Sequence, residues 1–260
     1  MRAVSLLTDL ENFGTGMVCL TGGGGKTTLL HALGENAAAA GNKTLCTTTT
    51  KMYWPDSRNK LPAAFETNPD ALVLPGGGAM FAAKPSPPGK DPHKVYGYSA
   101  DEVETLARRG LFTWTFVEAD GAAGRPIKAP AENEPVIPVG TAVVIGVIGL
   151  SCMGQAFTPK TVFRTEHFAA ITGLAPGATI TAEAVAKLVL HPSGLFKNSP
   201  DASIRLLFCN QSDLAGSVEA GKAIAKAVFS SNNSFPRAVY LGAARAERLK
   251  CLKLAPGQPL

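Results

Sequence analysis

The stretch VCLTGGGGKTTLL, Val18 to Leu30, sets four consecutive glycines ahead of a lysine and two threonines, with an apolar run on either side. Glycine loses more backbone freedom on folding than any other residue, so four in a row are costly for a mere connection. A bare backbone is warranted where main-chain N–H groups must close in on an anion. A glycine-rich turn between a buried strand and a helix points successive N–H groups into a concavity, and the helix N-terminus adds partial positive charge there. Phosphate oxygens fit that hollow. Lys26 is placed to reach β- and γ-phosphates, and the hydroxyl of Thr27 to hold Mg2+. Gly22, Gly23, Gly24, Gly25, Lys26, Thr27 and Thr28 are therefore the expected phosphate-binding residues.

The pattern GxxxxGK[ST] has glycine where this chain has Leu20. What remains, Gly22-x-x-Gly25-Lys26-Thr27, resembles the phosphate loop of the Mur-type peptide ligases. Working outward, short apolar runs recur: MVCLTG, TLCTTTT, ALVLPG, TWTFVEAD, AVVIGVIG, SIRLLFCN and AVYLG. Runs that are apolar on both faces suit a parallel sheet covered by helices on each side. Helices are expected from Lys26 to a stop at Gly41, from a capping box at Ser99 and Glu102, after Thr181, and over Gly216 to Phe229. The alternation predicts an α/β fold with a doubly wound, mostly parallel sheet of the P-loop NTPase type. One domain is expected over residues 1–260, with a small helical insert at about 154–199 and a disordered tail at about 254–260. Two Pro- and Gly-rich stretches, PGGGAMFAAKPSPPGKDPHK and GAAGRPIKAPAENEPVIPVG, read as loops, and loops longer than ~12 residues are usually functional or mobile.

Composition narrows the class. The 260 residues are 45% hydrophobic, enough for a sizeable core. Cys19, Cys46, Cys152, Cys209 and Cys251 are scattered, with no CxxC pair, which argues against a zinc site or a disulfide framework and for a reducing cytoplasm. The net charge is +5, yet no basic stripe is interleaved with aromatics, so nucleic acid is not an expected partner. The longest apolar run, AVVIGVIGL, is far short of the ~20 residues that span a bilayer. The first sixteen residues lack the unbroken apolar core of a signal peptide.

A nucleotide-hydrolysing site needs carboxylates near its metal. In TWTFVEADGA a period of two puts Trp114, Phe116, Glu118 and Asp120 on one face, with both acids at the carboxyl end of a buried strand, where ligands bind in open α/β sheets. Asp120 is expected in the Mg2+ shell with Thr27, and Glu118 to orient water or substrate. Lys26, Glu118 and Asp120 are the catalytic candidates. Thr50 and Lys51, ending TTTTK, would sit beside the phosphate loop if their strand neighbours the first. Asn210 and Asp213 in NQSD stand where guanine-binding P-loop proteins carry Asn-Lys-x-Asp, a carboxylate and an amide that read a purine's edges. Arg125 and Lys128, in the loop from Gly121 to Pro138, suit contact with anionic oxygen. Arg164, His167, His191 and Lys197 are lesser candidates for completing a pocket, since a lone histidine is more often a surface or capped residue.

The order of TGGGGKTTLL, TTTTKM, EADGAAGRPIKAPAENEPVIP, GLSCMGQ, TGLAPGATITAEAVAKLVLHPSGLFK and NQSD resembles one family, the YqeC proteins, described as selenium-dependent hydroxylase accessory or selenium cofactor biosynthesis proteins. The resemblance implies a bacterial P-loop protein that helps mature selenium-dependent molybdenum hydroxylases, making or inserting their selenium. The client hydroxylase or its cofactor is then the expected partner beside the nucleotide. Cys152 in GLSCMGQ is not assigned as a selenium carrier. Residues and resemblance together lead to a Mg2+-dependent nucleoside-triphosphate-binding protein, ATP or GTP, that hydrolyses its nucleotide. The alternatives are a kinase or ligase acting on a small anionic acceptor, and a non-catalytic nucleotide-dependent switch.

Overall fold

The computed structural model describes residues 2–53, 61–73, 78–231, 235–246 and 249–257. It opens with β1 (Arg2–Ser5), α1 (Leu6–Glu11), β2 (Gly16–Gly22), α2 (Lys26–Ala39) and β3 (Thr44–Thr48). Next come β4 (Met52–Tyr53), β5 (Ala63–Phe65), β6 (Ala79–Ala83), β7 (Lys94–Val95), α3 (Ala100–Arg108) and β8 (Trp114–Glu118). The second half carries β9 (Ile127–Lys128), β10 (Val143–Gly149), β11 (Val162–Phe163), α4 (Thr165–Thr172), α5 (Ala182–Leu190), β12 (Ile204–Asn210), α6 (Ser217–Phe229), β13 (Ala238–Gly242) and β14 (Lys250–Leu254).

Among the described residues, ten strands form one sheet in the order β1-β14-β13-β12-β10-β2-β8-β3-β6-β5. Only the two pairings that β14 makes are antiparallel. β2 lies at the centre, with Val18 opposite Val143 of β10 on one side and Phe116 of β8 on the other. The chain leaves β2 toward β3 and later returns to build outward through β10, β12 and β13, so the winding reverses beside β2. Open α/β sheets bind ligands at that crevice.

The pleat sends alternate residues to opposite faces. Val18, Leu20, Phe116 and Ile145 pack with Leu10 of α1 and Leu29, Leu30 and Leu33 of α2. On the other face, Cys19, Leu45 and Val117 meet Val103 and Leu106 of α3. Val144, Ile148 and Leu207 there meet Val185 and Leu188 of α5 and Ile224 and Val228 of α6. Both faces are covered, as a parallel sheet requires. The stretch 154–199 contributes α4, α5 and β11, which joins β9 in a small parallel pair.

Several local signals hold. Gly41 ends α2 with φ +83°, and Ser99 and Glu102 form a full capping box on α3. Thr181 caps α5 by accepting the Ala184 N–H. Others do not. ALVLPG makes no strand among its described residues: Pro69–Ala71 is a short 3-10 turn, Leu72 is buried without strand pairing, and Leu74 to Gly76 lie outside the described residues. The strand is β6 instead, AMFAA, inside a stretch read as loop. Three alanines in five residues hide it, because alanine favours strands poorly, yet all five positions are buried. The expected disordered tail also begins too early, since Leu254 closes β14 with no exposure, while 258–260 lie outside the described residues. Among the described residues no helix is long and apolar enough to cross a membrane.

Candidate functional site

β2 ends at Gly22, and α2 begins at Lys26 after the left-handed Gly25. Gly22, Gly24 and Gly25 have φ of +92°, +74° and +108°, a backbone region that side chains other than glycine's rarely enter. Close approach adds a second demand: a Cβ on Gly23 would come within 2.8 Å of the Arg125 carbonyl oxygen, and one on Gly25 within 2.5 Å of the Asn210 amide nitrogen. The glycine run thus serves packing of the protein on itself as well as any ligand.

The loop's N–H groups are divided. Gly22 N–H donates to both oxygens of Asp120, at 3.1 and 3.3 Å. Gly23 N–H donates to the Val147 carbonyl and Gly24 N–H to the Arg125 carbonyl, each at 2.9 Å. Those three are committed to the protein. The N–H groups of Lys26, Thr27 and Thr28 head α2, and helix geometry gives them no acceptor within the helix.

Around this turn the charged groups are buried. Lys26, with 3% of its side chain exposed, donates to the Gly22 carbonyl at 2.6 Å and lies 3.3 Å from Asp120 and 3.8 Å from Glu118. Thr27 donates its hydroxyl to Glu118 Oε2 at 2.8 Å. Glu118, not Asp120, is therefore the carboxylate in contact with Thr27. Burial pushes the Glu118 carboxyl above its ordinary value, with Asp120 adding to the rise and Lys26 and the Thr27 hydrogen bond opposing it. Asp120 also pairs with Lys128 at 3.0 Å. Lys128 reaches on to Glu134 at 2.7 Å and the Gly121 carbonyl at 2.6 Å, and Glu134 lies 3.4 Å from Arg164. Although burial alone would raise the Glu134 carboxyl, its hydrogen bond and charge contact with Lys128 hold it below the usual carboxylate range.

The condition set for Thr50 and Lys51 is not met: β3 neighbours β8 and not β2, so the turn after β3 packs against the end of β8. Thr48 donates to the Glu118 carbonyl at 2.8 Å and accepts the Thr50 N–H at 3.0 Å, and Thr50 and Lys51 border Gly121. Lys51 Nζ stands 4.9 Å over the Tyr96 ring. Arg125 turns away, donating to the Pro159 carbonyl at 3.0 Å and to the Ala123 carbonyl.

A profile of the YqeC protein family matches residues 18–166. The chain is also 37% identical over 202 residues to the uncharacterized protein YqeC of Escherichia coli strain K12, an alignment covering 75% of each protein. The chain belongs to the YqeC family. The matched YqeC stretch runs from β2 into α4, and so contains the glycine turn, Glu118, Asp120, Lys128, Glu134 and Arg164.

Two further groups of this YqeC chain lie beyond that stretch. Asn210, ending β12, donates its amide to the Gly24 carbonyl at 2.7 Å and accepts the Ala244 N–H at 2.9 Å, so its side chain braces the glycine turn. That leaves one amide hydrogen and one lone pair. Asp213 is exposed on the loop that follows, and the structure does not bring it to the lysines. His167, His191 and Lys197 do converge, lining an open cavity of about 290 Å3 with Ser193 and Glu132. Lys197 donates to the Ala131 carbonyl at 2.9 Å, closing one wall. Arg164 sits apart from that cavity, at Glu134. The chain of charges from Lys26 to Arg164 escaped the sequence reading, whose only signal was the succession of two acids, two basic residues and two acids along 118–134. Cys152 is fully buried with its thiol pushed up to about 12 by burial, an inert setting.

Proposed function

We propose that this YqeC protein is a P-loop NTPase-like protein that binds ATP or GTP with Mg2+, hydrolyses it, and serves the maturation of selenium-dependent molybdenum hydroxylases in the cytoplasm. One observation carries the nucleotide part: Lys26, Thr27, Glu118 and Asp120 converge at the head of α2, at the carboxyl ends of two adjacent central strands. The N–H groups of Lys26, Thr27 and Thr28 receive phosphate oxygens, and Lys26 balances their charge. Mg2+ is a hard cation commonly held by one or two carboxylates together with substrate phosphates, and the Thr27 hydroxyl with the Glu118 carboxylate is an oxygen donor set of that kind. Mg2+ would neutralise charge on the phosphates. Asn210 and Asp213 read the base, and Thr50 and Lys51 border the mouth, while the Arg125 side chain would have to leave the Pro159 carbonyl to join them. The client rests on the family resemblance, carried above all by the long 118–138 motif.

Titration calorimetry with Mg2+ and ATP or GTP tests the reading. Binding that Lys26→Ala abolishes is the expected result, with phosphate release stimulated by the client hydroxylase. No heat with either nucleotide refutes it. Mass spectrometry of species retained by the purified protein identifies the nucleotide and any selenium or molybdopterin compound.

The cavity beside α4 favours a second reading, a kinase or ligase acting on a small anionic acceptor. His191 Nδ1 accepts the Ser193 N–H at 3.0 Å, which leaves its other ring nitrogen to donate, beside Lys197. A phosphorylated product formed in step with nucleoside diphosphate, rather than free phosphate, would select that reading.

A further inference from the structure

Asp120 is an anion held the way a phosphate is held. Gly22 N–H donates to both of its oxygens, Lys26 Nζ is 3.3 Å from Oδ1, and Lys128 Nζ is 3.0 Å from Oδ2. A main-chain N–H at a glycine turn and two ammonium groups, converging on one pair of oxygens, make an oxyanion receptor. Lys26, Asp120 and Lys128 are each no more than 3% exposed along their side chains. The receptor is complete, and a side chain of the protein fills it.

We propose that Gly22 N–H, Lys26 and Lys128 form the subsite for a terminal phosphoryl group, with Asp120 as an internal occupant that a triphosphate displaces. This rests on the nucleotide reading above and adds to it which residues sense the last phosphate. Lys26 is held in place by the Gly22 carbonyl, so its ammonium stays where it is when the carboxylate leaves. The Arg125 carbonyl on Gly24 N–H shows the segment after Asp120 closed over the same turn, so Asp120 and Arg125 move off together. Lys128 does not need Asp120 to remain satisfied, because Glu134 and the Gly121 carbonyl stay with it. A phosphoryl oxygen then takes the place of the carboxylate oxygen. A terminal phosphoryl group carries more negative charge than a carboxylate, so the paired ammonium groups favour the exchange. A diphosphate stops short of the subsite. Loss of Asp120 leaves Glu134 as the one carboxylate on Lys128, and because Glu134 also pairs with Arg164, the N-cap residue of α4, the exchange is felt at the helical insert.

The test titrates the intact chain with a nucleoside triphosphate and the matching diphosphate at the same saturating Mg2+, which holds the metal constant across the comparison. Asp120→Asn keeps the size and removes the charge of the occupant. It is expected to raise triphosphate affinity about tenfold and leave diphosphate affinity unchanged. Lys128→Met is expected to erase the preference for triphosphate. Weaker triphosphate binding in the first variant, or an intact preference in the second, overturns the proposal. Because both substitutions disturb a buried charge chain, hydrogen exchange on the wild-type protein runs beside them. Triphosphate should deprotect peptides over 119–128 and alter exchange in α4, where diphosphate does neither; identical exchange with both also overturns it. A wild-type protein that binds neither nucleotide refutes the nucleotide reading itself, whereas one that binds both without preference refutes the subsite alone.

Discussion

The turns after β8 and β12 look alike in sequence, each an apolar strand running into polar and acidic residues, and the fold treats them in opposite ways. At the first, Glu118 and Asp120 are enclosed, with Lys26, Lys128, the Thr27 hydroxyl and the Gly22 N–H as their polar partners. At the second, Asn210 is enclosed as a brace and Asp213 is left in water. The difference lies in position along the sheet. β8 lies directly beside β2, so both of its terminal acids meet the glycine turn and its lysine, whereas β12 is separated from β2 by β10 and touches that turn through Asn210. Burial multiplies the value of each charge contact, because an ion deprived of its partner away from water has no substitute.

Four measurements break or sharpen that contrast. Lys128→Ala leaves Asp120 and Glu134 without their shared cation and should cost about 3 kcal/mol or more of stability in urea unfolding. A loss under 1 kcal/mol would mean the first turn is far less enclosed than its distances state. Asn210→Ala removes the brace between Gly24 and Ala244, with an expected loss of about 1–3 kcal/mol by the same method.

Glu118 gives a pH signature of definite sign. Its folded carboxyl is raised above the ordinary value of 4.5, so the folded state binds its proton more tightly than the unfolded one. Its contribution is therefore fully present below 4.5 and is lost as pH rises through the folded value. Glu118→Gln should flatten that fall in a series of melting temperatures against pH. An unchanged slope would show that Glu118 ionises as it does in the unfolded chain. The smallest effect belongs to the second turn. Asp213→Asn should leave stability within about 0.5 kcal/mol, as exposed substitutions generally do, and change only the preference between GTP and ATP. A large stability loss there would erase the contrast between the turns.

Much of the sheet is legible in the chain because β2, β8, β10, β12 and β13 are nearly unbroken apolar runs, and the capping box at Ser99 announces α3 directly. β6 is not legible, since AMFAA draws its strand character from where it is buried and not from its own residues. β14 is hidden for another reason: KCLKL sets Lys250 and Lys253 around the buried Cys251 and before the buried Leu254, and beside a basic cluster it reads as surface. At the site, the identities of Lys26, Thr27, Glu118 and Asp120 follow from the glycine turn and from strand periodicity. Their partners do not. That Thr27 takes Glu118 while Asp120 takes Gly22 N–H depends on the stagger between β2 and β8, and spacing along one strand carries no information about it. Nor does it reveal that Arg164, thirty residues beyond Glu134, returns to it through the β11–β9 pair.

β1 has consequences for how the molecule is assembled in time. Among the described residues it pairs with β14 alone, Arg2 opposite Lys253, and the seam is reinforced by Lys253 reaching Asp9 at 2.6 Å and by the Tyr240 hydroxyl on the same carboxylate. β1 is made well before β14 and must wait for it before that edge can pair, a long loop to close in entropic terms. The central strands can settle first, and α1 is drawn onto their surface as that seam zips shut.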